Sequence, residues 1–231
     1  MSFNYSPKIV TNGLVLCLDA ANPNSYPGSG TTWYDISQGG NNGILTNGPT
    51  FSTERGGCLV FDGTDDFVDF NNQPLFNLDN ITLEVVVSLS AIPVSVNYVA
   101  RNRVNGYGIS FPTSGSTSYS VTTYVDAATS YTYNSSPVTV GTPYVLSFTF
   151  GSSTFSTYEN GNQTYTVAAA SGSLYYGATP QTNIFRLSRD GGSGTGKFLN
   201  GKIYTARVYN RALSAQEISQ NYNALKNRFG L

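Results

Sequence analysis

Four aspartates, Asp62, Asp65, Asp66 and Asp69, fall close together, and no other part of the chain gathers as many potential metal ligands. Calcium takes about six to eight oxygens, often from carboxylates and loop carbonyls. The spacing does not follow an EF-hand loop. Asp62 and Asp65 are also placed to shape the turn Asp62-Gly63-Thr64-Asp65 through side-chain to backbone bonds, which is the simpler reading. Carboxylates can also act in pairs. A retaining glycosidase needs two of them about 5–5.5 Å apart. Here Glu84 stands alone in LEVVVSL, with Val86 and Ser88 following on its face, and Glu159 sits beside a hairpin turn. The chain contains no histidine, which removes Ser-His-Asp and Cys-His catalysis. Its two cysteines cannot supply the four ligands of a structural zinc. No catalytic residue is assigned, and the expectation is a protein that is not an enzyme and needs no cofactor.

The tyrosines offer binding chemistry instead. Tyr119, Tyr124, Tyr131 and Tyr133 stand among small polar residues in SYSVTTYVDAATSYTYNSSP. A tyrosine ring suits the C–H face of a sugar, its hydroxyl suits the rim, and the same properties enrich it at protein interfaces. Alternating Tyr and Thr also favours β-structure on its own account. Three readings therefore stand: ordinary sheet surface or core, subunit contact, and glycan platform. The Gly-rich stretch DGGSGTGK lacks the phosphate-loop pattern and its helix, and reads as a hairpin tip.

Charged residues make up 11% of the 231 residues, against about 25% in a typical globular protein. Ser, Thr, Asn, Gly and Tyr take their place, a surface suited to neutral polymers such as glycans or to packing beside copies of itself. Net charge is −1 and twelve cations are scattered, so the Lys/Arg stripe that nucleic acid demands is missing. The start, MSFNYSPKIVTNG, lacks the apolar run of a secretory signal. The run LVLCL is too short to span a membrane. A protein folded in the cytoplasm is expected, with neither nucleic acid nor membrane insertion among its partners.

These residues must be held by a β-rich body. ILTNG and ITLEVVVSL follow the strand pattern, the latter rich in β-branched residues. In PYVLSFTF, Tyr144, Leu146, Phe148 and Phe150 share one face, a period of two. Asn160-Gly161 in YENGNQ is the pair preferred in tight hairpins. GGCLVF and FVDF flank the aspartate turn as a second hairpin. NIFRLS and KIYTARVY complete a set of short strands that predicts two stacked antiparallel sheets. Cys17 and Cys58 lie in two of the apolar strands and read as buried, reduced thiols, with a disulfide left open. Residues 20–50 form a long irregular region, with Trp33 and Ile36 as anchors. One helix ends the chain. Ser214 and Glu217 form a capping box, Leu213 and Ile218 a hydrophobic staple, and Gly230 the left-handed stop. Ile218, Tyr222 and Leu225 give that helix one apolar face.

YNRALSAQEI resembles the closing signature of laminin-G-like, concanavalin A-type jelly-roll domains. The likeness extends in order to GLVLCLDAANPNSY, CLVFDGTDDFVDF, ITLEVVVSL and YENGNQ. It implies an all-β, two-sheet antiparallel jelly-roll sandwich over residues 14–231, preceded by an N-terminal arm at 1–13. Related domains frequently hold a structural calcium at the sandwich edge. Where many have G-x-I-D near the last strand, this chain has Gly201-Lys202-Ile203-Tyr204. The E-x-D-x-x-E strand of laminarinase-like hydrolases has no match, which leaves a glycoside hydrolase as the third reading. TTWYDISQGGNNGILTNGPTF is similar to a variant of the domain common in structural proteins of large tailed bacteriophages. That likeness implies a virion component of capsid-decoration, head-fibre or tail-fibre type. Its expected place is the virion surface after assembly in the host cytoplasm, and its expected partners are other capsid subunits in a homo-oligomer or multicopy array. Cell-surface glycans are the alternative partner, which would make the protein an adhesin.

Overall fold

A computed structural model describes residues 8–71, 78–102, 106–112, 114–169, 174–175, 185–190 and 197–231. The strands, in chain order, are β1 (Leu14–Asp19), β2 (Thr32–Trp33), β3 (Gly43–Thr46), β4 (Thr50–Ser52), β5 (Cys58–Asp62), β6 (Phe67–Asp69), β7 (Ile81–Leu89) and β8 (Asn97–Asn102). They continue with β9 (Tyr107–Phe111), β10 (Ser120–Tyr124), β11 (Ser130–Asn134), β12 (Tyr144–Gly151), β13 (Thr154–Glu159), β14 (Asn162–Ala168), β15 (Phe185–Leu187) and β16 (Asn200–Tyr209). A single helix, α1 (Ala215–Phe229), follows.

The strands form two sheets. The first runs β14-β13-β12-β7-β16-β5-β4, with β1 also paired to β16, and the second runs β11-β10-β9-β8-β15-β6-β3-β2. Neighbours are antiparallel throughout. Inward side chains follow the expected period of two. In β7 these are Ile81, Leu83, Val85, Val87 and Leu89, and in β12 Leu146, Phe148 and Phe150, all within one core between the sheets.

The helix covers the other face of the first sheet. Ser214 Oγ accepts the Glu217 N–H, the Glu217 carboxylate accepts the Ser214 N–H, and Gly230 closes the helix at φ 69°. Leu213 and Ile218 meet in one cluster with Val10, Tyr158 and Tyr209. Leu225 and Phe229 pack on Cys58, Val86, Val145 and Tyr204. At the β13–β14 hairpin, Asn160 and Gly161 both adopt positive φ. A Cβ on Gly161 would also come within 2.8 Å of Tyr222, so the helix itself requires that glycine. Residues 8–13 are tied down beside the helix: the Val10 N–H donates to Asn221 at 2.8 Å, and Tyr209 donates to the Val10 carbonyl at 3.0 Å.

Two expectations are corrected, the hairpin at the aspartate turn and the irregular stretch 20–50, while the buried, reduced cysteines are as expected. The aspartate turn does not make a hairpin, because β5 pairs with β4 and β16 whereas β6 pairs with β3 and β15. It carries the chain from one sheet to the other, and nothing in the local turn signal separates those outcomes. The stretch 20–50 contains the short strand β2 and reaches β4, in addition to β3 at the expected strand ILTNG. Within it Trp33 is fully buried, whereas Ile36 is 38% exposed and is held through its backbone N–H, which donates to the Cys17 carbonyl at 2.9 Å. Cys17 and Cys58 are free and buried, and burial raises both thiols above the ordinary range.

Candidate binding surface

The outer face of the first sheet buries its central carboxylate. Glu84 on β7 is 0% exposed and accepts a hydrogen bond from Arg207 Nη1 at 2.8 Å. Ser147 Oγ donates to the same carboxylate at 3.4 Å. Burial opposes the Arg207 charge, but Glu84 outweighs it and holds the guanidinium protonated above its ordinary range. Glu84 thus faces a cation, not a second acid, and is sealed from substrate.

The acidic turn divides. Oxygens of Asp62, Asp65 and Asp66 lie within 4.8 Å of one another. Asp69 is drawn away to Arg186 at 3.3 Å, on the outer face of the second sheet. The Thr64 N–H donates to Asp62 at 2.7 Å and holds its carboxyl below the usual range. The Asp62 N–H donates to Asp66 at 3.1 Å. Burial raises the Asp66 carboxyl despite that bond, and the Asp62 and Asp65 charges add to the rise. One oxygen from each acid would supply three of the six to eight that calcium takes. Loop carbonyls and water would have to complete such a shell, and two of the three carboxylates also accept backbone N–H bonds within the turn.

Strand parity separates the four tyrosines. Tyr119 is 1% exposed, edge-on to Phe111 at 6.4 Å, and cannot meet a ligand. Tyr131 and Tyr133 stand opposite Thr123 and Val121 and pack against the core. Tyr133 stacks on Tyr165 at 5.7 Å, joining the edge strands β11 and β14 across the mouth of the sandwich. Tyr124 has the opposite parity to Val121 and Thr123, and so lies with Thr122 on the outer face of the second sheet. Of the four, only Tyr124 is on that face.

That outer face carries a feature that the sequence reading missed. The register runs Thr32, Ile44, Asp69, Arg186, Arg101, Gly108, Thr122 and Thr132 straight across eight strands. Thr122 and Thr132 share a hydroxyl hydrogen bond of 3.2 Å. At the centre of the row Arg101 pairs with Asp190 at 3.3 Å and Lys197 approaches Asp190 at 3.8 Å. Aromatic rings flank the cations. Arg101 lies 4.8 Å from the Tyr98 ring centre, Arg186 5.4 Å from Phe67, and Arg189 4.6 Å from Phe67 and 5.6 Å from Phe198. Phe67 and Phe198 are buried yet stand outside the main core cluster. The available signal was charge placement: in a chain with only twelve cations, three fall in the short stretch from Arg186 to Lys197. Residues 191–196, expected as a hairpin tip, lie outside the described residues.

A sequence profile described as the concanavalin A-like lectin/glucanases superfamily matches residues 62–219, more than half of the chain. No curated protein sequence matches. Among solved structures, the chain is similar to Trypanosoma rangeli sialidase in complex with sialic acid, at 17% identity and a TM-score of 0.67, over 94% of this chain and 33% of that one. It is similar to the binding domain of Paraclostridial Mosquitocidal Protein 1, at 12% identity and a TM-score of 0.71, over 93% and 53% of the two chains. It is also similar to botulinum neurotoxin type C, which depends on interaction with two ganglioside molecules to get into cells, at 12% identity and a TM-score of 0.64, over 92% and 51%. The chain thus spans about a third of the sialidase and about half of each toxin structure.

Proposed function

Because the chain belongs to the concanavalin A-like lectin/glucanases superfamily, we propose that it is a non-catalytic binding module of a tailed-phage particle that presents the outer face of its second sheet to cell-surface glycans. The observation that carries the reading is the contrast between its faces. The helix and residues 8–13 cover the first sheet and bury Glu84. The second sheet sets Tyr124, Thr122 and Thr132 beside a row of cations and rings. Hydroxyls and aromatic faces are what a sugar's rim and C–H face require. The toxin neighbours are a binding domain and a ganglioside-dependent protein, which agrees with the same use of the fold. Among the described residues no helix is long and apolar enough to cross a membrane.

The particle assignment rests on the likeness of TTWYDISQGGNNGILTNGPTF to phage structural proteins. Many copies on one particle raise avidity by roughly 10²–10⁴ without improving a single site, so a weak platform suffices. The test is titration of the isolated protein with a panel of bacterial surface polysaccharides, alongside Tyr124→Ala. Binding at millimolar glycan or tighter, weakened by Tyr124→Ala and without release of reducing ends, supports the reading. Absence of binding would leave a scaffold. Immunogold labelling of purified particles checks the location, and unlabelled particles would remove the phage assignment.

A further inference from the structure

The cations on the second sheet outnumber the acids that could neutralise them. Arg101, Arg186, Arg189 and Lys197 are four of only twelve cations in the protein, and they converge on two carboxylates, Asp69 and Asp190. Both carboxylates are already engaged, Asp69 by Arg186, and Asp190 by Arg101 and Lys197. Among the described residues Arg189 has no salt bridge, and its buried Nε has no hydrogen-bond acceptor. Its guanidinium is held between Phe67 and Phe198. The sequence between Asp190 and Lys197, GGSGTG, contains no acid.

A structural ion-pair network would balance its charges, because a partly buried cation without an anion is unfavourable. This cluster carries two cations more than it has carboxylates, with the surplus fork fixed by ring contacts. Burial and the neighbouring Arg186 lower the Arg189 pKa, and the opposing pull of Asp69 and Asp190, both already paired, does not cancel that effect. A planar fork matches the two oxygens of a carboxylate or sulfate. A patch of four cations on one face is too small to track a run of phosphates, which needs several such contacts in line.

We infer that Arg189, with Arg186, Arg101 and Lys197 around it, forms an oxyanion site for the carboxylate or sulfate of an acidic glycan. The inference rests on the glycan-binding reading and names its substrate class. Thr122, Thr132 and Tyr124 lie on the same face and would meet the neutral part of the sugar.

The experiment is calorimetric titration of the full protein with three oligosaccharides of similar length: an oligogalacturonate, a sulfated galactan and a neutral galactan. Each is run at low and high sodium chloride. The expected result is affinity for one or both acidic ligands at least about tenfold above the neutral one, falling as salt rises. The carboxylate and sulfate arms tell which oxyanion is preferred. Arg189→Gln should remove about tenfold from the acidic ligands and nothing from the neutral one. Arg189→Lys, which keeps charge but loses the fork, should fall between. Lys226→Gln removes the same charge from the helix and should change nothing. Circular dichroism confirms that each variant is folded.

Equal binding of acidic and neutral glycans, unmoved by Arg189→Gln, would overturn the oxyanion site while leaving glycan binding intact. Binding of none of the three would overturn both. Tighter binding of a DNA duplex than of either acidic glycan, lost in Arg189→Gln, would also overturn it, by assigning the site to phosphate.

Discussion

The two sheets of this protein have outer faces built from the same kinds of residue and put to different ends. Each carries arginine and carboxylate on adjacent strands. On the first sheet Arg207 and Glu84 lie 2.8 Å apart, almost wholly buried and roofed by α1. On the second Arg186 and Asp69 lie 3.3 Å apart, each partly exposed, and Lys197 beside them is 40% exposed. One pair is matched one to one and sealed, while the other belongs to a group with cations to spare. Burial makes the first pair a structural commitment, because neither charge can be left without its partner. Partial exposure and surplus charge leave the second able to accept an outside anion.

The largest effect should come from breaking the sealed pair. Glu84→Gln leaves Arg207 charged in a buried site, which costs about 3–5 kcal/mol and should show as a lowered urea midpoint. A loss under 1 kcal/mol would mean that water reaches Arg207 and that the first face is not sealed. Removing part of the roof comes next. Ile218→Ala deletes a fully buried side chain beside Leu213 and Tyr158 and should cost about 2–4 kcal/mol by the same measurement. Little change would show that the helix sits loosely on the sheet.

The roof was also the most legible part of the chain, and the reason is locality. Ser214, Glu217, Leu213, Ile218 and Gly230 act within one helix, so their spacing states their roles. The Asn160-Gly161 hairpin is local in the same sense. The second face depends on long-range register. Asp69, Arg186 and Arg101 become neighbours only when β6, β15 and β8 pair, and no motif announces that. The placement of the tyrosines was illegible for another reason. Alternation shows that Tyr131 and Tyr133 share a face, but with Ser and Thr on the other it does not say which face turns inward. Burial of Tyr119 between Phe111 and Tyr133 decides it.

A smaller effect tests how the helix is fastened. Ser214→Ala removes the side-chain acceptor of the cap and should cost about 1 kcal/mol. The cap also gives the first face a pH dependence. The Arg211 guanidinium and the Ser214 N–H pull the Glu217 carboxyl from its ordinary 4.5 to about 2. A carboxyl depressed in the folded state is protonated first in the unfolded one. Its contribution is therefore complete above about pH 4.5 and lost as pH falls toward 2. Glu217→Gln should flatten the fall in melting temperature across that window. An unchanged slope would place the acid sensitivity elsewhere.

The smallest stability effect is expected where binding is expected to change. Arg186 and Asp69 are 3.3 Å apart, with side chains 12% and 24% exposed, so solvent weakens their attraction and a net contribution of about 0–1 kcal/mol is the rule. The ring contact with Phe67 adds about 0.5–1 kcal/mol at most. Replacing Arg186 by Gln also relieves repulsion from Arg189, which offsets part of either loss. Arg186→Gln should therefore move the urea midpoint by less than a third of the Glu84→Gln shift. Comparable shifts in the two variants would mean that the second face is a structural ion network like the first, and the distinction between a sealed face and a binding face would fail.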